Sequence, residues 1–254
     1  MSDFDPAKSS VATPDLLEID RWILARAQDL VRRCQEFYDE FEFHKVYRAI
    51  YDFATTDLSA VYFDVLKDRL YTGATNSRAR RSGQTALYRV HYALTRLVAP
   101  LLAFTAEEIW SHTPKPPGAP ESVHLSLLPA AKELESGLTA EQRAVWDELM
   151  EVREPVLKAL EEARTAKLIG APLEARLRIA VGNHKVLQSH TKELPALFIV
   201  SQVDLEEGDF HVTVERASGT KCERCWKYST KVGEDAAYPT VCDTCASALH
   251  EMFP

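Results

Sequence analysis

Glycine is scarce in this chain, nine among 254 residues. None of the nine falls into a G-x-x-x-x-G-K-[ST] loop, a G-x-G-x-x-G turn after a strand, or a G-x-S-x-G elbow. That sets aside the phosphate cradles and the hydrolase nucleophile built on those motifs. No uninterrupted apolar run approaches a bilayer span, and residues 1–15 are too polar for a secretory signal. The expectation is a cytoplasmic chain with no membrane partner. A basic surplus is missing too: the formal net charge is −8, so any contact with nucleic acid has to come from local patches. Internal repeats and sustained heptads are absent. His44, His91, His112, His124, His184, His190, His211 and His250 are scattered, none at a spacing to cysteine or carboxylate that suggests a triad. Asp57, Asp64 and Asp68 share helical spacing, which a solvated acidic face explains better than an acid–base pair. No catalytic residue is nominated.

Cysteine is sparse as well, five in all, yet four of them are organised. Cys222 and Cys225 form one C-x-x-C pair, Cys242 and Cys245 a second, with sixteen residues between the pairs. Each such turn brings two thiolates near one point, and two turns complete a tetrahedron around Zn²⁺. A tail this short cannot fold on buried apolar surface alone. Metal ligation, worth roughly 10–16 kcal/mol in zinc-finger peptides, can hold it. With four sulfurs filling the shell no position is left for water or substrate, so one structural Zn²⁺ is expected. A redox dithiol would sit beside a βαβ pattern and would need no second pair. Cys34 lies in an amphipathic pattern as a small apolar group, and this usage suits a reducing compartment.

The remaining chain reads as mainly α. Residues 1–14 are a lead-in. Leu16, Ile19, Ile23, Ala27, Leu30, Cys34, Phe37 and Phe41 recur at threes and fours, which predicts a long amphipathic helix, capped either by Asp15 with Glu18 as a capping box or by Thr13 with Pro14 at the first helical position. Val46, Ile50, Phe53, Leu58, Val61 and Leu66 continue as one or two helices to about Tyr71, followed by a polar break from Gly73 to Ser82. A third helix is expected from about Ser82 to Ala99. Thr105 and Glu108 have the spacing of a capping box, with Phe104 and Ile109 as its hydrophobic staple, so a short helix is expected from Ala106. These four make an antiparallel bundle over residues 15–120. Thr113–Pro120 is a proline-rich joint, and Ser122–Pro129 is expected to lie extended over the bundle. Residues 121–217 read as a small α+β element. It has a helix capped by Thr139 and Gln142 and kinked or divided at Pro155, strands at Leu173–Val181, Phe198–Val203 and Phe210–Arg216, and a helical stretch over His184–Leu197. Residues 218–254 are the four-cysteine module.

What chemistry the rest offers is binding. Lys221, Arg224, Lys227 and Lys231 face a single Glu223, but four thiolates with one Zn²⁺ take back most of that charge and leave a weakly positive field. Trp226, between Cys225 and Lys227, either stacks on a nucleic-acid base or covers the zinc core with Tyr228. Arg78, Arg80 and Arg81, with Arg89 and Arg96, form either a basic face or a solvated surface.

Several stretches resemble one family. Leu16–Trp22, Tyr38–Tyr47 and Asp57–Tyr71 look like the anticodon-binding helical domain of bacterial-type isoleucyl-tRNA synthetases. Leu94–Trp110 is similar to a motif shared by the isoleucyl, valyl and leucyl enzymes. Glu161–Ala175 resembles the segment that follows in them, and Lys221–Cys245 looks like the C-terminal zinc module of the isoleucyl enzyme. The resemblance implies a class I anticodon-binding bundle, an isoleucine-accepting tRNA as partner, and a monomeric chain. The bundle would meet the anticodon stem through Lys67, Arg69, Arg78, Arg80 and Arg81; the zinc module would meet the loop through Arg224, Trp226 and Lys227. It also implies that ATP is used only by a catalytic half whose His-Ile-Gly-His-like and Lys-Met-Ser-Lys-Ser-like motifs are not in this sequence. The equivalent part of a valyl or leucyl enzyme is a competing reading, against which the terminal cysteines argue; a free-standing RNA-binding or scaffold protein is another.

Overall fold

A computed structural model describes residues 3–253. The chain divides into two compact units: residues up to Leu70 with Thr75–Leu138, and Tyr71–Ala74 with Thr139 onward. In the first, a short helix α1 (Pro6–Ser9) is capped by Asp5, whose carboxylate accepts from Ala7 N at 2.9 Å. Helix α2 (Glu18–Asp39) buries Trp22, Ile23, Leu30, Val31 and Cys34 along one stripe. Neither Thr13 nor Asp15 caps it. Thr13–Asp15 forms a separate 3₁₀ turn, and Leu17, with no capping side chain, precedes the helix. Phe41 falls outside α2 as well: it occupies the left-handed turn after it (φ 58°) and is 78% exposed rather than part of the buried stripe.

The next helical stretch is continuous but not uniform. Helix α3 (Phe43–Asp52) passes into a π-helical run (Phe53–Tyr62), which passes into α4 (Phe63–Thr72). α2 packs against α3, the π run and α5 (Arg78–Val98). Helix α5 starts earlier than the polar break suggested, because Ser77 accepts from Arg80 N at 3.4 Å and caps it. Arg78, Arg80 and Arg81 therefore stand on its first turns rather than in a loop. Helix α6 (Ala103–His112) also starts early, with the Leu102 carbonyl already accepting from Ala106 N at 2.8 Å. Thr105 thus lies inside the first turn and forms no capping box, and Phe104, 94% exposed, staples nothing. The phase is set by Ala106 and Trp110, both fully buried.

Residues 113–138 are stitched over the bundle by its own side chains, as expected for a laid-back strap, although Val123–Leu125 makes a 3₁₀ turn rather than extended chain. Trp110 Nε1 donates to Pro120 O at 3.1 Å, Gln35 to Pro129 O at 3.1 Å, and Gln28 to Ala131 O at 3.2 Å. Arg96, only 8% exposed, pairs with Glu133 at 2.5 Å. Asp20, in α2, is a fully buried carboxylate. Its carboxylate accepts from Tyr62 Oη at 2.8 Å, from Arg69 at 2.7 and 2.8 Å, and from Ser82 Oγ at 2.5 Å. Four helical segments meet on that one carboxylate. A buried charge survives only when so paired.

The second unit opens on helix α7 (Ala140–Thr165). Its predicted capping box is present, with Thr139 Oγ1 accepting from Gln142 N at 3.2 Å and Gln142 Oε1 accepting from Thr139 N at 3.0 Å. Pro155 does not divide it; the helix runs through. Strand β1 (Ala175–Ala180) follows, then helices α8 (Val186–Ser189) and α9 (Leu194–Leu197), β2 (Gln202–Glu206) and β3 (His211–Arg216). β2 begins four residues later than expected, because Phe198 and Val200 are buried in the turn after α9 instead of pairing. β1 is the centre, parallel to β2 and antiparallel to β3. Its Ala175, Leu177 and Ile179 are fully buried, while Arg176 and Arg178 point to the other face and pair with Asp204, Glu206 and Glu215. That alternation is what a sheet with one covered face requires. The short strands β4 (Thr220–Lys221) and β5 (Tyr228–Ser229) and helix α10 (Asp243–Met252) complete the unit.

Candidate metal centre and nucleic-acid interface

The two cysteine pairs reach the centre by different local structures. Cys222 and Cys225 flank a tight turn closed by Trp226 N donating to Cys222 O at 2.9 Å and Cys222 N donating to Lys227 O at 2.8 Å. Cys242 is the residue before α10 and Cys245 stands in its first turn, so helical pitch sets their separation. All four Sγ atoms lie within 4.8 Å of one another, and Cys225 and Cys242 are 3.8 Å apart. A tetrahedron of sulfurs about 2.3 Å from zinc has edges of about 3.8 Å. No disulfide joins them. Cys222 Sγ also accepts from Cys242 N at 3.3 Å.

Cys222, Cys225 and Cys242 ionise unequally. Burial pushes Cys222 up, but backbone N–H groups of Cys225, Cys242 and Arg224 outweigh it and hold this thiol at about 6. Cys225 is raised far above the ordinary thiol value, first by the Cys245 sulfur beside it and then by burial; Cys242 is raised by burial to about 11. Four thiols this close shed all their protons only around a cation. The donor set fits Zn²⁺, with every position filled by sulfur.

Little else holds this module. Its apolar core consists of Cys222, Val241, Cys242, Cys245 and Ala246, with Val232, Tyr238 and Leu249 partly covering it. Gly219 sets its entry. Its φ is +92°, and a Cβ there would stand 2.3 Å from the Ser229 carbonyl carbon and oxygen. Gly219→Ala is expected to cost about 2 kcal/mol or more, the strain of a side chain at positive φ adding to a backbone clash. A chemical melt of the variant, read by zinc release, checks it.

Trp226 does not cover the core. The turn puts it at φ 65° and leaves the indole 62% exposed. Lys221 Nζ stands 5.7 Å from its ring centroid, a cation over the ring that sequence reasoning did not single out. Register explains it, since Lys221 pairs with Tyr228 across β4–β5 and so comes back beside residue 226. Lys227 is half-buried. Arg224 is half-buried too and donates to the carbonyl of Thr72, a residue of the same unit.

In the first unit the basic residues are brought together less than expected. Lys67 is exposed and paired with Asp64 at 2.6 Å. Arg69 turns inward to Asp20. Arg78 Nε donates to Asp15 O at 2.9 Å; Arg80 pairs with Asp3 at 3.1 Å and donates to the Leu70 carbonyl; Arg81 donates to Asp3 O at 2.8 Å and to Gln84 Oε1 at 2.9 Å. Arg89 reaches the carbonyls of Glu133 and Glu135. These arginines brace the fold, Arg69 joining two helices and the others tying a loop or terminus to a helix. Exposed aromatics that the sequence reading missed line one side of α3: Phe43, Tyr47 and Tyr51, spaced by four. That period was the available signal. No helix among the described residues is long and apolar enough to cross a membrane.

Residues 20–179 match the family described as the anticodon-binding domain of tRNA ligase, and residues 219–248 match the zinc finger found in FPG and IleRS. Among curated proteins the chain is 44% identical over 263 residues to the isoleucine–tRNA ligase of Syntrophotalea carbinolica. It is 45% identical over 269 residues to that of Symbiobacterium thermophilum, and 44% over 261 residues to that of Carboxydothermus hydrogenoformans. The alignments take in 97–98% of this chain. The chain spans 28% of the length of these relatives.

Proposed function

Since the chain belongs to the family of the anticodon-binding domain of tRNA ligase, we propose that it is the tRNA-binding portion of an isoleucine–tRNA ligase. Its partner is an isoleucine-accepting tRNA, held by the anticodon arm. The observation that carries this reading is the pairing of that domain with a four-sulfur module that presents an exposed indole beside lysines. One zinc ion holds the Cys222–Cys225 turn rigid. Trp226 stacks on an unpaired base of the loop, which single-stranded RNA offers and a duplex does not. Lys227 and Arg224 add charge beside it. Lys67 meets the backbone of the stem, while Arg69, Arg78, Arg80 and Arg81 contribute field rather than free donors, their hydrogen bonds being spent inside the unit.

The chain's own contribution is positioning. Binding energy gathered at the anticodon fixes where the acceptor end lies, and orientation lowers the barrier at a distant site. ATP-dependent activation and transfer of isoleucine belong to the longer protein, of which relatives carry more than three times this length. The chain by itself is not expected to charge tRNA.

The test is a titration with isoleucine-accepting tRNA and a mismatched tRNA, with and without a zinc chelator. Trp226→Ala is expected to weaken cognate binding by about 1–3 kcal/mol, the worth of one base–aromatic stack. Its melting should stay close to the parent value, since the indole is 62% exposed and alanine meets the same positive φ. Unchanged affinity in a folded variant would remove Trp226 from the interface.

A further inference from the structure

Among the described residues, four non-glycine residues have positive φ: Phe41, Lys167, Ile199 and Trp226. Ile199 is half-buried, but Lys167, like Trp226, exposes its side chain. Lys167 follows the end of α7, where Lys167 N donates to Arg164 O at 3.0 Å and Leu168 N to Ala163 O at 2.9 Å. That is the closing turn in which glycine is the ordinary occupant, because any side chain is strained there. Packing does not repay the strain. Among the described residues Lys167 has no ion-pair partner, whereas Arg164 is paired with Glu161 at 2.7 Å.

A second cation joins it from far along the chain. Arg216, the last residue of β3, donates from Nε to Leu168 O at 2.8 Å, which leaves its two terminal nitrogens to solvent. The other arginines of the sheet, Arg176 and Arg178, are neutralised by carboxylates; Arg216 is exposed and has none among the described residues. Of the nearby acids, Glu161 is taken by Arg164, and Glu174 Oε2 accepts from Gly170 N at 2.8 Å. Glu162 is exposed one turn back on α7. Lys221 is five positions on from Arg216, so its Cα lies at most about 18 Å from that of Arg216, and it is the residue that covers the Trp226 ring.

We propose that Lys167 and Arg216 form a second contact of this unit for the phosphodiester backbone of RNA, beside the Trp226 surface. The inference rests on the reading of the chain as a tRNA binder. The guanidinium fork takes one phosphate through its free edge, and the ammonium takes a neighbouring one. The strained lysine is kept because the turn aims it outward, where a glycine would offer no charge.

The test uses the full chain and a transcript of an isoleucine-accepting tRNA, with filter binding across a range of salt and a thermal melt of each variant. Lys167→Gly is expected to melt a few degrees higher, since glycine accepts the turn, yet to bind about three- to tenfold more weakly at ~0.15 M salt. The slope of log affinity against log salt should become shallower by about one for each lost contact. Arg216→Gln should lower affinity and slope in the same way without the gain in melting temperature, and Lys167→Arg should restore the slope. If wild type binds while Lys167→Gly and Arg216→Gln keep its affinity and slope, this contact is refuted and the wider reading stands. A lower melting temperature for Lys167→Gly with unchanged binding would assign the lysine to the helix end and refute it as well. If wild type itself retains no tRNA, both fall.

Discussion

Stripping zinc from the protein, or replacing Cys242 with serine, is expected to unfold residues 219–252 while the helices of the first unit persist. The module has almost no core beyond the ligands: among the described residues, Val241 and Ala246 are its only buried side chains apart from cysteines. Two small apolar groups cannot order thirty-odd residues. The missing stabilisation is on the order of 10 kcal/mol, the amount structural zinc supplies in comparable peptides. Removal of the ion would leave Cys225 and Cys242 as neutral thiols crowded at 3.8 Å, with nothing to hold the turn against the helix. Amide hydrogen exchange before and after chelation checks this, alongside a count of zinc released per chain. Protection across residues 219–252 that survives complete metal loss would show that the fold does not depend on the ion. Loss of tRNA binding should accompany the loss of protection, because Trp226 is placed by the same turn.

The second large effect is expected at Asp20. Asp20→Ala removes the one acceptor shared by Tyr62, Arg69 and Ser82, and leaves a guanidinium whose side chain is only 15% exposed without its partner. Breaking a buried pair on one side typically costs 3–5 kcal/mol, about 3 at the least here, because an uncompensated charge stays inside. A urea melt should show the midpoint falling steeply with little change in slope. Asp20→Asn, which keeps an acceptor oxygen, should cost less. A loss below about 1 kcal/mol for Asp20→Ala would mean that water reaches Arg69 and that the pair is not sealed.

Much of the fold could be read from residues. The α2 stripe, the Thr139–Gln142 cap, β1 and the cysteine pairs are local patterns, each carrying its own physical reason. What could not be read were features decided by distant contacts. Thr105 and Glu108 had the right letters for a cap, but the buried seat of Trp110 fixes the helix phase and starts α6 earlier. The Arg78–Arg81 cluster looks like a basic face in sequence; only coordinates bring Asp3, Asp15 and Leu70 to it. Arg69 is the sharpest case, since its partner Asp20 is far away in the chain and nothing local marks either as buried. Within the candidate site, the cysteine spacing was legible and the exposure of Trp226 was not, because that depends on the handedness of one backbone turn. The step of five from Phe53 to Leu58 was a signal on the page: no α-helix repeats a face at five.

That step belongs to the π run, and it limits how this protein can lengthen or shorten. In the last turn of the run Phe63 N–H reaches the Leu58 carbonyl, five residues back rather than four. Taking one residue out of Phe53–Tyr62 would let the segment tighten toward ordinary pitch, and the forward turn of tightening would oppose the backward turn of the lost residue. Tyr62 and Arg69, seven residues apart and so on one side of the helix, would therefore swing off Asp20 less than after the same deletion in α3. The widened stretch acts as slack between two ordinary helices, and it makes a lone deletion there cheaper than one in the helices on either side.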